Sequence, residues 1–180
     1  MRDKESFIDD CRATLKEHDP QAAIRELVAR TVSDPGAVMR ALGEPKRAGI
    51  NALYRSGELT ILDVCWGPGL AFRPHDHRMW AVIGIYAGRE QNFFYQRRGA
   101  SLARASMREL NVKDTAALGA ATIHAVTNPL DSVTGAIHVY GGDLFGTPRS
   151  EWDPSTFEER PYDTAAMLRT FEESNARLAA

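Results

Sequence analysis

At 180 residues, with 43% apolar and 26% charged residues, the chain suits one domain around a single core and has the balance of a soluble globular protein. A formal net charge of −2 gives no general attraction to nucleic acid or to an anionic membrane, and no window approaches the ~18 continuous apolar residues of a spanning helix. Cys11 and Cys65 are the only cysteines and form no CxxC pair, so two buried, reduced thiols in a cytoplasmic protein are expected.

The opening MRDKESFIDD is charged and lacks the apolar stretch of a signal peptide. Residues 3–43 read as helices. Phe7, Cys11 and Leu15 recur on one face, and Asp19-Pro20 supplies a cap and a first-turn proline for a helix carrying Ile24, Leu27 and Val28. Asp34-Pro35 repeats the device for a short helix through Val38 and Leu42, which Gly43 ends. These apolar stripes are too narrow to form a core alone, so residues 1–45 are expected to layer on something else. From about residue 48 the texture becomes strand-like. ALYRSGELTILDVCW gives two runs around Ser56-Gly57, followed by WAVIGIY, QNFFYQ, SLARASMREL, ATIHAVTNP and GAIHVYGG. The basic pair Arg97-Arg98 beside Gly99 reads as a solvated turn, because an isolated pair lacks a phosphate-binding footprint. Short strands with turn signals and no intervening helix indicate a mainly β fold, an antiparallel sandwich or barrel over residues 46–150. Residues 151–180 read as an extension in which Asp163 caps a last helix, with Met167, Leu168 and Phe171 as its apolar side and Glu172-Glu173 in solvent. All of this forms a single domain, 1–180.

Two of the five histidines, His75 and His77, stand one residue apart. Along an extended chain residues i and i+2 share a face, with Cβ atoms roughly 6.5–7 Å apart, so two imidazoles can converge on one ion at ~2.1 Å per nitrogen. A third ligand must come from another strand, and His124 in ATIHAV and His138 in AIHVY are the two candidates. His18, at a helix end, is expected at the surface. His138 shares a strand face with Tyr140, and such a pair beside a metal suits acid–base chemistry.

With CWGPG at 65–69, HDH at 75–77, IH at 123–124 and HVY at 138–140, the sequence resembles the cupin superfamily, and within it the cysteine dioxygenase family of thiol dioxygenases. The resemblance covers about residues 48–150. It implies a double-stranded β-helix, an antiparallel jelly-roll barrel, with helices at both ends. It also implies Fe(2+) held by His75, His77 and His124, with His138 and Tyr140 beside the iron. The partners implied are a small thiol and O2, the product a sulfinic acid, and the assembly a monomer or homodimer. The glutamate of the ordinary cupin motif is absent, Trp80 and Ala81 standing there, as in the three-histidine thiol dioxygenases.

Three positions depart from the family pattern. Ala136 replaces the serine of its Ser-x-His-x-Tyr triad, and Val82 replaces the cysteine that crosslinks to the tyrosine in animal-type members. Asn51 falls where those members carry the arginine for the substrate carboxylate, with Arg47 and Arg55 as neighbours. Arg149, eleven residues past His138, matches the arginine of bacterial mercaptopropionate-type members instead. The expected carboxylate binder is therefore Arg149, with Arg73 second, each by a two-pronged contact. Two other functions remain open: a three-histidine cupin acting on a diketone or a flavonol-like ring, and a non-catalytic binding cupin.

Overall fold

The structure, a computed structural model, describes residues 1–99 and 101–178. Three helices open the chain, α1 (Lys4–Thr14), α2 (Pro20–Val32) and α3 (Pro35–Leu42). An aspartate starts each one: Asp3, Asp19 and Asp34 accept the backbone N–H of Ser6, Ala22 and Ala37, satisfying donors that no helical carbonyl reaches. Gly43, at φ +95°, ends α3. The strands follow as β1 (Gly49–Arg55), β2 (Thr60–Trp66), β3 (His75–Asp76), β4 (Ala81–Ala87), β5 (Arg89–Arg98), β6 (Ser101–Asn111), β7 (Thr115–Leu118), β8 (Ile123–Thr127), β9 (Thr134–Tyr140), β10 (Ser150–Trp152) and β11 (Glu159–Pro161). A last helix, α4 (Thr164–Leu178), closes the described chain, and the final two residues of the expected helix lie outside it.

The strands form two sheets, ordered β1-β2-β9-β4-β7 and β11-β10-β3-β8-β5-β6. Neighbours pair antiparallel, and successive strands from β2 to β9 distribute over both sheets. The order β2-β9-β4-β7 facing β3-β8-β5-β6 is the double-stranded β-helix. The central strands of the first sheet, β2, β9 and β4, are buried on both sides. Leu62, Val64, Trp66, Ile83, Ile85 and Ala136 face the barrel interior, whereas Ile61, Val82, Ile137 and Val139 pack against Ile24, Val28, Val32 and Phe7 of the helices. That double burial explains why AVIGIY and TGAIHVY carry continuous apolar runs where a half-buried strand would alternate.

Three differences from the sequence reading have physical causes. The extension expected from residue 151 on also holds two short strands that the sequence did not reveal; β10 pairs with β3 and carries β11 with it. Such strands of three residues are too short for periodicity to reveal. In α4, Met167 and Phe171 are buried but Leu168 is 51% exposed, and Ser174 takes the next inward position, one turn beyond Phe171. Cys11 is buried as expected, but Cys65 is only half-buried; both are free thiols.

Helix α4 docks where Gly67 leaves room. A Cβ at that glycine would lie 2.0 Å from Ser174 Oγ and 3.0 Å from the Cβ of Ala48. Beside it, the Asn175 side chain takes both the N–H (2.7 Å) and the carbonyl (2.9 Å) of Ala48. Gly67→Ala should therefore cost about 1–3 kcal/mol through overpacking. Part of that loss should return when Ser174→Ala is added, because the clashing oxygen, itself buried without a hydrogen-bond partner, is removed. Urea unfolding of the two single variants and the double variant measures this non-additivity.

Candidate metal centre

The two-residue strand β3 lies between β8 and β10, with His75 opposite His124 on one side and Glu151 on the other. His77 follows directly, just past the strand end. All three imidazoles face the barrel interior and are 7% exposed or less. They offer one ligand atom each within 4.8 Å of one another, and His77 Nε2 lies 3.3 Å from His124 Nε2. Two ligands at right angles around an ion with ~2.1 Å bonds sit about 3 Å apart, so this spacing fits one cation. Of the two candidates for the third ligand, the fold brings His124 into the group; His138 is not one of the three.

Hydrogen bonds aim two of these rings. His75 Nδ1 lies 2.9 Å from the backbone carbonyl of Arg73, which can only accept, so Nδ1 carries the proton and Nε2 a lone pair. His124 Nδ1 lies 2.8 Å from Asn92 Oδ1. The amide of Asn92 is oriented in turn by its Nδ2, which donates to Glu90 Oε1 at 2.8 Å. Trp66 Nε1 donates to the other oxygen, Oε2, at 2.8 Å, and Glu90 is fully buried. The line Trp66–Glu90–Asn92–His124 thus leaves the Nε2 lone pair of His124 turned toward the cluster. His77 Nδ1 is buried with no hydrogen-bond partner.

Burial is the leading reason that all three histidines stay neutral. It lowers His75 to about 4, with the positive charge of Arg149 adding to the effect, and pushes His77 and His124 well below the usual value as their neighbouring imidazoles contribute. Neutral imidazoles with exposed lone pairs are what a cation requires. The residues present therefore fit a divalent transition metal, and the all-nitrogen donor set suits Fe(2+) as well as other borderline ions.

Across the barrel, β9 presents Ala136, His138 and Tyr140 on one face. The Tyr140 oxygen lies 3.0 Å from His138 Nδ1, and burial pushes its hydroxyl far above the ordinary tyrosine value, so it remains a phenol. Between the two sheets is a cavity of about 40 Å³. The histidines, Tyr140 and Arg149 line it together with apolar side chains such as Leu62, Phe72 and Met167, and no carboxylate is among the described lining residues. The Arg149 guanidinium stacks on the Tyr162 ring, 3.3 Å from its centre. A polar pocket of about 230 Å³ adjoins it and shares Phe72, His75, Tyr162 and Met167 as a common wall.

The other arginines considered lie elsewhere. Arg73 lines only the outer pocket and pairs with the buried Glu151 at 3.5 Å, which also holds Arg160 at 2.8 Å. Arg55 grips Asp143 through two contacts of 2.7 and 2.9 Å, and Arg47 sits at a surface pocket near the end of α4. His18 is exposed. Arg97, solvated as expected, lies at the end of β5 and is ion-paired with Glu159 at 2.6 Å. Sequence reasoning missed Glu90 and Asn92. Their signal was present in REQN, where two polar residues two apart face inward at the start of a strand that turns aromatic.

No family model matches this chain. The fold is similar to the DMSP lyase DddQ from Ruegeria pomeroyi DSS-3, with 22% identity over 61% of this chain and 53% of that one, and a TM-score of 0.47. It is similar also to an uncharacterized conserved protein with a double-stranded beta-helix domain from Klebsiella pneumoniae, at 13% identity over 69% and 89% of the two chains with a TM-score of 0.44. A variant of oxalate decarboxylase from Bacillus subtilis matches at 16% identity, covering 57% of this chain but 24% of its own, with a TM-score of 0.42. The chain thus spans about half of the lyase and a quarter of the decarboxylase. At these identities the likeness is one of fold alone.

His77→Ala or His124→Ala should abolish stoichiometric metal binding. Asn92→Ala, which releases the His124 ring without removing a ligand, should weaken it by about 10- to 100-fold, read by competition with a chelator dye. The pH dependence of stability has a definite sign. Unfolded histidines take up protons near the ordinary value of 6.5, whereas folded His75 does so only at about 4. The unfolded chain therefore binds more protons in that window, so stability is full above 6.5 and falls as the pH drops toward 4. Urea midpoints of the metal-free protein at pH 7.5, 5.5 and 4.5 should decline in that order.

Proposed function

We propose that this protein is a non-haem Fe(2+)-dependent thiol dioxygenase, which inserts both atoms of O2 into the sulfur of a small carboxylated thiol to give a sulfinic acid. The observation that carries the reading is the cavity itself: three neutral imidazoles on one wall, a tyrosine–histidine pair on the facing wall, and an arginine at the rim. The reaction, RSH + O2 → RSO2H, takes four electrons from sulfur and places all four on the two oxygen atoms, so no further reductant is needed. When bound, Fe(2+) would supply open coordination positions for the thiolate and O2 and the redox chemistry that joins them.

The chain's own groups supply the rest. His75, His77 and His124 carry no charge, so a dipositive ion at their centre keeps its attraction for an anionic thiolate. Tyr140, kept a phenol by burial and held by His138, places its hydroxyl near His77, the two ring centres being 5.0 Å apart. Leu62, Val64, Trp66 and Phe72 exclude water from the reacting atoms. Arg149, preoriented on Tyr162, is placed to hold the substrate carboxylate at the rim.

Size selects among substrates. A volume of about 40 Å³ has room for about three water-sized groups, which suits a short aliphatic thiol and not a flavonol-like ring. The lining also holds no described carboxylate to meet an ammonium group, which favours a mercaptocarboxylate over an amino acid. Oxygen-electrode traces of the iron-loaded protein over thiols, enols and diketones test the proposal: uptake with short carboxylated thiols, and stoichiometric sulfinate, is the expected outcome. No uptake with any thiol would favour a binding role. Arg149→Ala removes a charge-assisted contact worth about 1.5–3 kcal/mol and should raise KM for carboxylated thiols by roughly 10- to 100-fold, with little change for an uncharged thiol. Equal kinetics on both substrate types would remove Arg149 from the carboxylate role.

A further inference from the structure

The triad serine that would steer His138 is missing, Ala136 occupying its place with no exposed surface. An imidazole that must present one chosen nitrogen to Tyr140 still needs something to settle where its proton resides. His138 is 3% exposed, and its Nε2 has no hydrogen-bond partner, which is costly for a buried polar atom. A carboxylate faces it. Glu90 Oε2 lies 3.7 Å from His138 Nε2, and about 0.7 Å of movement would bring the pair to the ~3.0 Å of an N–H···O bond. The carboxylate is fixed there by Trp66, whose Nε1 donates to the same oxygen at 2.8 Å and whose ring packs edge-on to His138 with centres 5.9 Å apart. Glu90 comes from β5, on the opposite sheet, so no reading of the β9 triad alone would find it.

We infer that Glu90 does the work of the missing serine: it is a positioning residue that holds the His138 proton on Nε2, so that the bare Nδ1 accepts the hydrogen of the Tyr140 hydroxyl. This rests on the reading of His138 and Tyr140 as part of a thiol dioxygenase site. The Nδ1–oxygen distance of 3.0 Å then has one direction, phenol to imidazole. The phenol is tethered on the histidine side and its oxygen lone pairs are left for the cavity. The same carboxylate, through Asn92, sets the tautomer of His124. One buried group thereby governs both walls of the site, and Ala136 is tolerated because the acceptor arrives from another strand.

The imidazole nitrogen shifts of 15N-labelled, zinc-loaded protein read the tautomer of His138 directly, without any turnover. The parent should show the proton on Nε2. Glu90→Ala should mix the two tautomers at equal zinc content, and adding Ala136→Ser, which restores a hydroxyl on the same strand face, should return the proton to Nε2. In the iron-loaded enzyme, Glu90→Gln, which keeps the side-chain shape, should lower kcat about tenfold with KM within about twofold, and Ala136→Ser should recover most of it. A proton on Nδ1 in the parent, which needs no variant to observe, would overturn the assignment; so would an Nε2 proton that Glu90→Ala leaves undisturbed. An Nε2 proton lost in Glu90→Ala together with no thiol turnover by the parent would uphold Glu90 while removing the proposed reaction.

Discussion

The site depends on one short piece of strand pairing. His75 stands opposite His124 and Asp76 opposite Ile123, and these two pairs make up the entire β3–β8 ladder. Strand side chains alternate with a period of two, so a slip of one residue would set an aliphatic residue beside His75 and turn His124 away. The register is secured from outside the ladder. Phe72 N–H donates to the Val126 carbonyl at 2.7 Å, and Asn128 N–H to that of Leu70 at 2.9 Å. On the other edge Trp152 N–H donates to the carbonyl of Pro74 at 2.8 Å, while Asp76 accepts from Ser150 N–H. The aspartate between the two histidines is thus structural: it ties the ligand segment to the strand that follows Arg149.

Around that register the two sheets divide the labour. The first, its central strands buried on both faces, fixes His138 and Tyr140 in a frame that the helices brace from behind; Gly84 allows Val28 of α2 to approach the strand so closely that a Cβ there would lie 2.4 Å from it. The second carries the three-histidine cluster on its inner face and leaves much of β6 to solvent. Polar groups converge in the barrel interior where Glu90, Asn92 and the histidines meet, and among the described residues two fully buried ring nitrogens there have no hydrogen-bond partner. Those two, His77 Nδ1 and His138 Nε2, belong to the site and not to the frame.

Most of the architecture was legible because its signals are local. Asp-Pro pairs mark helix starts with a capping side chain and a preset φ, and β-branched runs bounded by glycine mark strands, so helices and barrel could be read in order. The histidines were legible because HxH is a one-face pattern, and the IH and HVY segments sit in apolar strands. What escaped is set by partners distant in sequence. The donors of Trp66 and Asn92 converge on Glu90 only when β2 and β5 face each other, and nothing in CWGPG says that its tryptophan reaches a carboxylate. Arg73 sits two residues from His75 yet turns to Glu151, whereas Arg149, far along the chain, returns to the cavity rim; adjacency in sequence misleads wherever the chain leaves its strand. Leu168 is exposed because the inward stripe of α4 is narrow and passes through Ser174, a residue that no hydrophobic pattern selects.

The separation of the histidines along the chain bears on how the molecule gains and loses its shape. The β5–β6 hairpin is a run of near neighbours that can close early, whereas His77 and His124 are 47 residues apart and meet only after the loop between them has formed. Contacts of such long range, resting on a two-residue ladder, form late in folding and break late only if something holds them. A ligand clasped by both histidines therefore adds little to the speed of folding and subtracts chiefly from the speed of unfolding. The barrel's persistence in time, more than its rate of assembly, is what occupation of the site would control.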